Sequence, residues 1–502
     1  MALDWRRLYA QDSWKVRPGL TLEGGVRYNV WQPWYALWNN IAEFNPKYFD
    51  PAKAPQIDPN TGQIVPGSGD IYNGIVLPGK GFTAGAKGRV AAAADPNVNR
   101  LFHNLPRGFS KTPFGLFDPR FGFAWVPFGD TNFVVRGGAG VFHSRLFLND
   151  STLLGGNPPL QPTQQTSQGN IDTFSSSPGT IVFPTSITAQ DYRFPFPSTY
   201  QWSLGVQRKL PGSFILDVAY IGRRATHLQR ESDLNEPPPS DPNVVNVIDL
   251  LRPYQGYGLI RYSCNCAQSI YHGLQTELRR RLTHGLLVTA GYTYSHSIDN
   301  ASSKRDLIAN TYNDRDFRGS SDFDYRHILQ LSWVYELPFW RTRHDVLGFV
   351  AGGWQLNGIG FIETGAPFTL IDGSGNANVG NIDVPANDVG RLVVNKDSWS
   401  NWVSFPDGRT AADYIPAPGT FGNAARNSYH GPGLWNFDLS VSKNFYPIRG
   451  SEKVRAQFRF ETFNTFNHPS KMGVDSDVTD PAFGSTGVTD PRAMQLGVRV
   501  TF

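Results

Sequence analysis

Met494, Leu496, Val498, Val500 and Phe502 are apolar, and the positions between them, Gln495, Gly497, Arg499 and Thr501, are polar or small. A period of two puts one set on each face of a strand. A strand of about ten residues, apolar on one face and polar on the other, is the repeating unit of a transmembrane β-barrel. The pattern recurs upstream in pairs of runs joined by tight turns. The first pairs fall at about Leu8–Val16 with Leu20–Trp31, Pro119–Val126 with Asn132–Leu146, and Thr199–Lys209 with Phe214–Thr226. The next fall at about Tyr271–Leu282 with Leu286–Ile298, His327–Leu337 with Trp354–Thr364, and Trp435–Phe445 with Lys453–Phe463. Leu329, Leu331, Trp333, Tyr335 and Leu337 mark one face of their strand, and Trp435, Phe437, Leu439 and Val441 oppose Asn436, Asp438, Ser440 and Ser442.

The connections have two lengths. Within a pair they are short and carry turn residues, as at Arg17-Pro18-Gly19, Phe128-Gly129-Asp130, Pro211-Gly212 and Thr283-His284-Gly285. Between pairs they are long and rich in Pro, Gly, Asn and Ser. Short turns at one end and long loops at the other mark a bacterial outer-membrane barrel, whereas a soluble sandwich has no reason to sort its loops by length. Trp14, Trp31, Trp125, Trp202 and Trp354 stand near strand ends, where interfacial aromatic girdles lie.

Composition agrees with a barrel without requiring one. Hydrophobic residues make up 40% of 502, aromatics 13%, with 51 Gly and 37 Pro, and mean hydropathy is -0.35. Polar lumen and loop residues offset an apolar outer band; a large soluble all-β protein has a similar average. A net charge of +4 with interspersed signs excludes a nucleic-acid footprint. No apolar run is long enough for a transmembrane helix. Met1–Tyr9 has no apolar leader segment, so this sequence is expected to lack a signal peptide. Cys264 and Cys266 fit no zinc pattern and are read as inert or locally bridged loop residues.

Candidate chemistry is sparse. The sequence has no phosphate-binding Gly-rich loop, no His-Glu-x-x-His and no nucleophile elbow, so no catalytic or cofactor-binding residue is expected. His272, His284 and His296 recur at a fixed interval that reads as chance. Asp475, Asp477 and Asp480 offer oxygen ligands to calcium but lack the Gly and distal Glu of an EF-hand loop. Glu277, Arg279, Arg281, Arg455, Arg459 and Glu461 fall on polar faces. They either contact a plug or a ligand, or form a solvated wall paired among themselves.

Tyr9-Ala-Gln-Asp12-Ser-Trp14-Lys15-Val16 followed by Leu20-Thr-Leu-Glu-Gly-Gly-Val-Arg27-Tyr28 resembles a hairpin of TonB-dependent outer-membrane receptors, more narrowly their Oar-like branch. Asp322-Phe-Asp-Tyr-Arg-His327, Glu336-Leu-Pro-Phe339, Gly353-Trp354-Gln355-Leu356, Phe463-Asn-Thr-Phe466-Asn467-His468-Pro469 and Gly497-Val-Arg-Val-Thr-Phe502 extend the resemblance to the last residue. It implies an all-β, antiparallel transmembrane barrel of the Gram-negative outer membrane with a plug and a TonB box, often preceded by a regulatory-like domain. None of those amino-terminal parts is legible here, so residues 1–502 are expected to be the carboxy-terminal part of the barrel. The implied function is ligand binding and TonB-dependent uptake, not an enzyme. The alternatives are a passive porin or adhesin, and an outer-membrane hydrolase, which would need a nucleophile and a His brought together. The implied partners are outer-membrane lipid, an extracellular ligand, the TonB system through the missing parts, and the barrel-assembly machinery, which would read Phe502. Nucleic acid is not among them.

In this family the terminal strand runs towards the periplasm, which fixes the turns at Pro18, Gly129, Gly212, His284, around Arg341 and around Arg449 on the periplasmic side. Tyr257–Cys264 then does not span, because it would put the His284 turn on the wrong side. About thirteen spanning strands remain, an odd number where single-chain bacterial barrels have an even one. The expectation is an open sheet with edges Leu8–Val16 and Met494–Phe502, about nine strands short of the 22 of plugged transporters.

Overall fold

Register carries the period of two across the whole sheet. In a computed structural model that describes residues 5–145, 153–161, 184–340, 345–381, 383–398, 401–445 and 455–502, thirteen strands stand side by side in chain order. They are β1 Trp5–Arg17, β2 Leu20–Trp31, β3 Leu116–Trp125, β4 Phe133–His143, β5 Ser198–Leu210, β6 Phe214–Asp233 and β7 Tyr257–Thr283. Then come β8 Leu286–Asp299, β9 His327–Glu336, β10 Trp354–Glu363, β11 Leu434–Phe445, β12 Arg455–Phe463 and β13 Ala493–Thr501. Neighbours pair antiparallel throughout. β1 and β13 are the two edges, and the barrel is not closed.

The turns set that register. Pro18-Gly19 joins Arg17 to its partner Leu20, with Gly19 at φ +83°, the left-handed second position of a type II turn. His284 and Gly285, both at positive φ, close β7 on β8 where Thr283 faces Leu286, the type I′ geometry that matches strand twist. From these anchors apolar side chains meet apolar ones: Tyr292 faces Leu329, Val288 faces Trp333, Val441 faces Phe460, and Phe458 faces Val498. Leu496 and Val498 are 69% and 72% exposed. A continuous exposed apolar face is what hydrocarbon covers in an outer-membrane wall.

Aromatic rings on this face lie over glycines of the next strand. Phe123 faces Gly137, Trp202 faces Gly222, Trp333 faces Gly358 and Phe437 faces Gly360. A Cβ at any of these glycines would run into the ring beside it.

Two elements are longer than the alternation predicts. β6 has 20 residues and β7 has 27, against the nine to eleven, roughly, that cross a bilayer. Tyr257–Cys264, expected outside the membrane span, is indeed no separate span; it is the upper part of β7. The cysteines are therefore not in a loop, as expected, but on this projecting strand, joined as a Cys264–Cys266 disulfide. The alternation fails there because both faces are covered: Tyr257 and Ile260 enter a core while Thr185–Gln190 pairs in parallel along the strand.

The long connections, expected as loops, are folded. Residues 32–115 contribute Phe44, Ile75, Leu77, Val98 and Leu101 to a core that also takes Ile187, Ala189, Tyr257 and Ile260. Residues 364–433 build a second around Leu370, Leu392, Val403 and Tyr414, sealed by Val478. The tightly packed apolar core thus sits on the long-loop side, above a wall whose outer face has none.

Candidate functional site: lumen wall and extracellular cap

The polar face of the wall is the inverse of the apolar rows. On β7, Gln275, Glu277 and Arg279 face Thr293, Gly291 and Thr289 of β8. Asp217 of β6 faces Glu277. Arg136 of β4 crosses β5 at Gly205, its register partner, and its guanidinium pairs with Asp217. Arg136, Asp217, Gln275, Glu277 and Gln330 line a groove of about 670 Å³ whose floor is partly glycine, at Gly138, Gly205 and Gly291. Its charged lining is Arg136 on one side and the neighbouring carboxylates Asp217 and Glu277 on the other. Arg279 lies 3.6 Å from Glu277 with both half-exposed, a contact of little stability in water. Arg281 is exposed near the turn below.

The remaining candidates form a second patch. Arg459 lies 3.4 Å from Glu461, and Gln495 donates to Glu461 at 2.5 Å. Arg455 stands opposite Thr501 in the register; its side chain lies outside the described residues. The two patches share a face but are five strand spacings apart, about 24 Å, so the structure does not bring all six residues to one place.

Asp475, Asp477 and Asp480 are not gathered around a cation either. Asp477 Oδ1 accepts from Gly373 N, Thr479 N and the Thr479 hydroxyl at 3.0, 2.9 and 2.7 Å. Asp475 and Asp480 accept from Asp477 N and Ala482 N. Burial resists ionisation of Asp477, but these donors outweigh it and hold its pKa below the usual value. Among the described residues no cluster of His, Cys, Asp and Glu is arranged to hold a metal. The three aspartates cap turns.

The three histidines of fixed interval form no common site. His272 and His296 lie at equal distances from His284 in the turn, so they face each other across β7 and β8. Each bonds away from the other: His272 Nδ1 to Tyr220 Oη at 2.7 Å, His296 Nδ1 to Asp324 Oδ2 at 2.9 Å. Asp324 also accepts from Ser297 N at 2.7 Å and Arg326 Nε at 2.7 Å. The Asp322–His327 motif thus knots the upper ends of β8 and β9.

Buried ion pairs, which sequence reading missed, tie the loops into one cap. Arg426 meets Asp299 at 2.6 Å and Asp322 at 3.1 Å. Glu231, 1% exposed, meets Arg261 at 2.6 Å and Arg305 at 3.4 Å. Arg252 meets Asp233 at 3.2 Å and Asp249 at 2.6 Å. Arg426, Asp299, Glu231, Arg252 and Asp233 are the buried members, so removing a partner of one of them leaves a charge away from water. Glu236 accepts from Thr311 N at 2.9 Å, and its other oxygen is buried without a partner among the described residues. Burial pushes its pKa up to about 7. No single residue type signals this network, because its partners are separated by up to 127 positions.

Similarity to known proteins matches this architecture. The outer membrane transporter YddB of Escherichia coli superposes with a TM-score of 0.51 at 12% identity, over 99% of this chain and 45% of that one. The ferric-catecholate import receptor Fiu of E. coli K12 gives 0.42 at 12% identity, over 99% and 44%. The ferripyoverdine receptor of Pseudomonas aeruginosa gives 0.42 at 11% identity, over 100% and 39%. The chain spans less than half the length of these structures, which are described as transporters and receptors. No curated protein sequence matches it. The model of the family described as outer membrane beta barrel domain matches residues 3–495, and the chain belongs to that family, as a wall of the bacterial outer membrane.

Proposed function

We propose that the chain is the carboxy-terminal wall and cap of a TonB-dependent receptor of the Oar-like type, binding an extracellular ligand and passing it inward. The observation that carries this is an odd-stranded open wall with a charged polar face, crowned on one side by a folded cap. The likeness to the YddB fold over less than half its length supports it. In this reading the plug, the TonB box and the remaining strands belong to other parts of the receptor. The cap selects the ligand, and the Arg136–Asp217 groove with Glu277 and Arg279 lies along its way or against the plug. Uptake by cells carrying the whole receptor should stop when TonB is deleted or the proton gradient is dissipated, while surface binding persists. Steady ion conductance by the purified receptor in planar bilayers, with no TonB requirement, would instead identify a passive pore.

We also propose that Phe502 is read by the barrel-assembly machinery. It is 98% exposed at the foot of β13, in step with the lipid-facing row. Deleting it should lower the yield of heat-modifiable barrel in cells more than it lowers unfolding stability in vitro. Equal cellular yields would refute the assignment.

A further inference from the structure

One connection on the short-turn side is not a tight turn. Between β9 and β10, residues 337–353 include a six-residue helix, α1, Val346–Ala351, capped by Asp345, whose Oδ1 accepts from Gly348 N at 3.0 Å. Six large apolar side chains there are exposed: Phe339, Trp340, Val346, Leu347, Phe349 and Val350, with Val346 at 80%. A soluble surface does not carry such a patch without a partner.

Its position names the partner. The Phe349 ring packs on Phe445 at 5.4 Å, and Trp354 Nε1 donates to Val350 O at 3.1 Å. Phe445 and Trp354 are the lowest residues of the lipid-facing rows on β11 and β10, so α1 hangs on the outer side of the wall, continuous with the apolar band. Lys443 explains why the segment is held there. It stands on the lipid-facing row beside Trp354, its register partner, yet is 4% exposed. Its ammonium lies 5.2 Å from the Trp354 ring and 5.0 Å from the Phe445 ring and donates to Gly352 O at the end of α1. The carbonyl end of a helix and two aromatic faces are favourable surroundings for a cation. The charge is thereby kept out of hydrocarbon, and α1 is clamped against the rim.

We infer that the described part of the β9–β10 connection, residues 337–340 and 345–353, is an interfacial anchor, with α1 lying on the phospholipid of the inner leaflet and Val346, Phe349 and Val350 in the acyl boundary. Amphipathic and apolar segments at this depth bind by buried apolar area. The inference is independent of ligand and of TonB coupling.

The test uses the receptor assembled in outer membranes and then reconstituted in vesicles of phosphatidylethanolamine and phosphatidylglycerol. Val346→Cys and Phe349→Cys each carry an environment-sensitive fluorophore; the native cysteines are already bonded to each other. Val498→Cys is the lipid control, and Val244→Cys in the cap, 77% exposed, is the water control. The expected result is blue-shifted emission at 346 and 349 that approaches the Val498 control and is quenched by shallow nitroxide lipids. Emission matching the Val244 control in vesicles overturns the inference. Emission shielded in native outer membranes but water-like in pure lipid vesicles also overturns it, in favour of a protein partner. Should Phe349→Cys fail to assemble, Val346→Cys decides alone.

Discussion

At the scale of the residue, Trp333 and Gly358 show what a period of two conveys and what it omits. Alternation assigns Trp333 to the outer face, but only register sets it over Gly358. Gly358→Val is expected to cost about 1–3 kcal/mol by overpacking, and Trp333→Ala to relieve part of that cost in a double-mutant cycle. Urea unfolding in lipid vesicles checks both; additive effects would mean that ring and glycine do not share space. Arg136 with Asp217 was illegible for the same reason: their meeting depends on turns distant in the chain. Glu236 adds a pH effect. Its ordinary pKa of 4.5 rises to about 7 in the fold, so the folded cap holds this proton more tightly than the unfolded chain does. Stability from this group is fully present below about pH 4.5 and is lost as pH rises through about 7. Hydrogen exchange in residues 234–256 and 307–312, corrected for intrinsic rates, should report looser packing over that rise. Glu236→Gln should flatten the dependence; an unchanged slope in that variant would assign it elsewhere.

At the scale of the element, strand existence was legible and strand length was not. All thirteen expected spans have an observed counterpart, because each carries several alternating positions against a bilayer on one side and polar groups on the other. The signal disappears where both faces are covered, as in upper β6 and β7, and where apolar residues are brief and aperiodic, as in the cap strands Glu43–Phe44 and Ile75–Pro78. The short helix α1 escaped for a related reason: six residues are too few for a helical period to emerge. β13 offers the clearest test of facing. Val498 lies on the outer row and Arg499 on the polar row, opposite Gln457. Arg at 498, near mid-strand, is expected to cost about 2–4 kcal/mol. Gln495→Arg, on the polar row, is expected to be nearly neutral in the same folding assay in lipid. Equal tolerance of the two would reverse the strand.

At the scale of the molecule, parity decides what this wall requires. Among the described residues the wall strands are antiparallel and thirteen in number, so β1 and β13 run in the same direction. Bringing those edges together would make a parallel seam, which the even-stranded antiparallel barrels of bacterial outer membranes do not contain. A second copy in the same membrane does not help, since its edges run the same way too. Both edges expose rows of backbone N–H and C=O groups, and a bilayer core offers them no water. Closure by antiparallel pairing therefore calls for an odd number of further strands, the first and last running upward. The prediction is that these 502 residues alone, exported or refolded in lipid, yield no heat-modifiable closed barrel, and that co-production of a segment supplying an odd number of further strands restores one. Gln11→Cys with Gly497→Cys gives a direct readout, since both positions lie mid-strand on the polar rows of the two edges. A disulfide between them in the isolated chain would show β1 and β13 side by side and the parity argument wrong. Its absence in the isolated chain, together with a disulfide from each edge to a cysteine in the supplied strands, would show that those strands close the wall between β1 and β13.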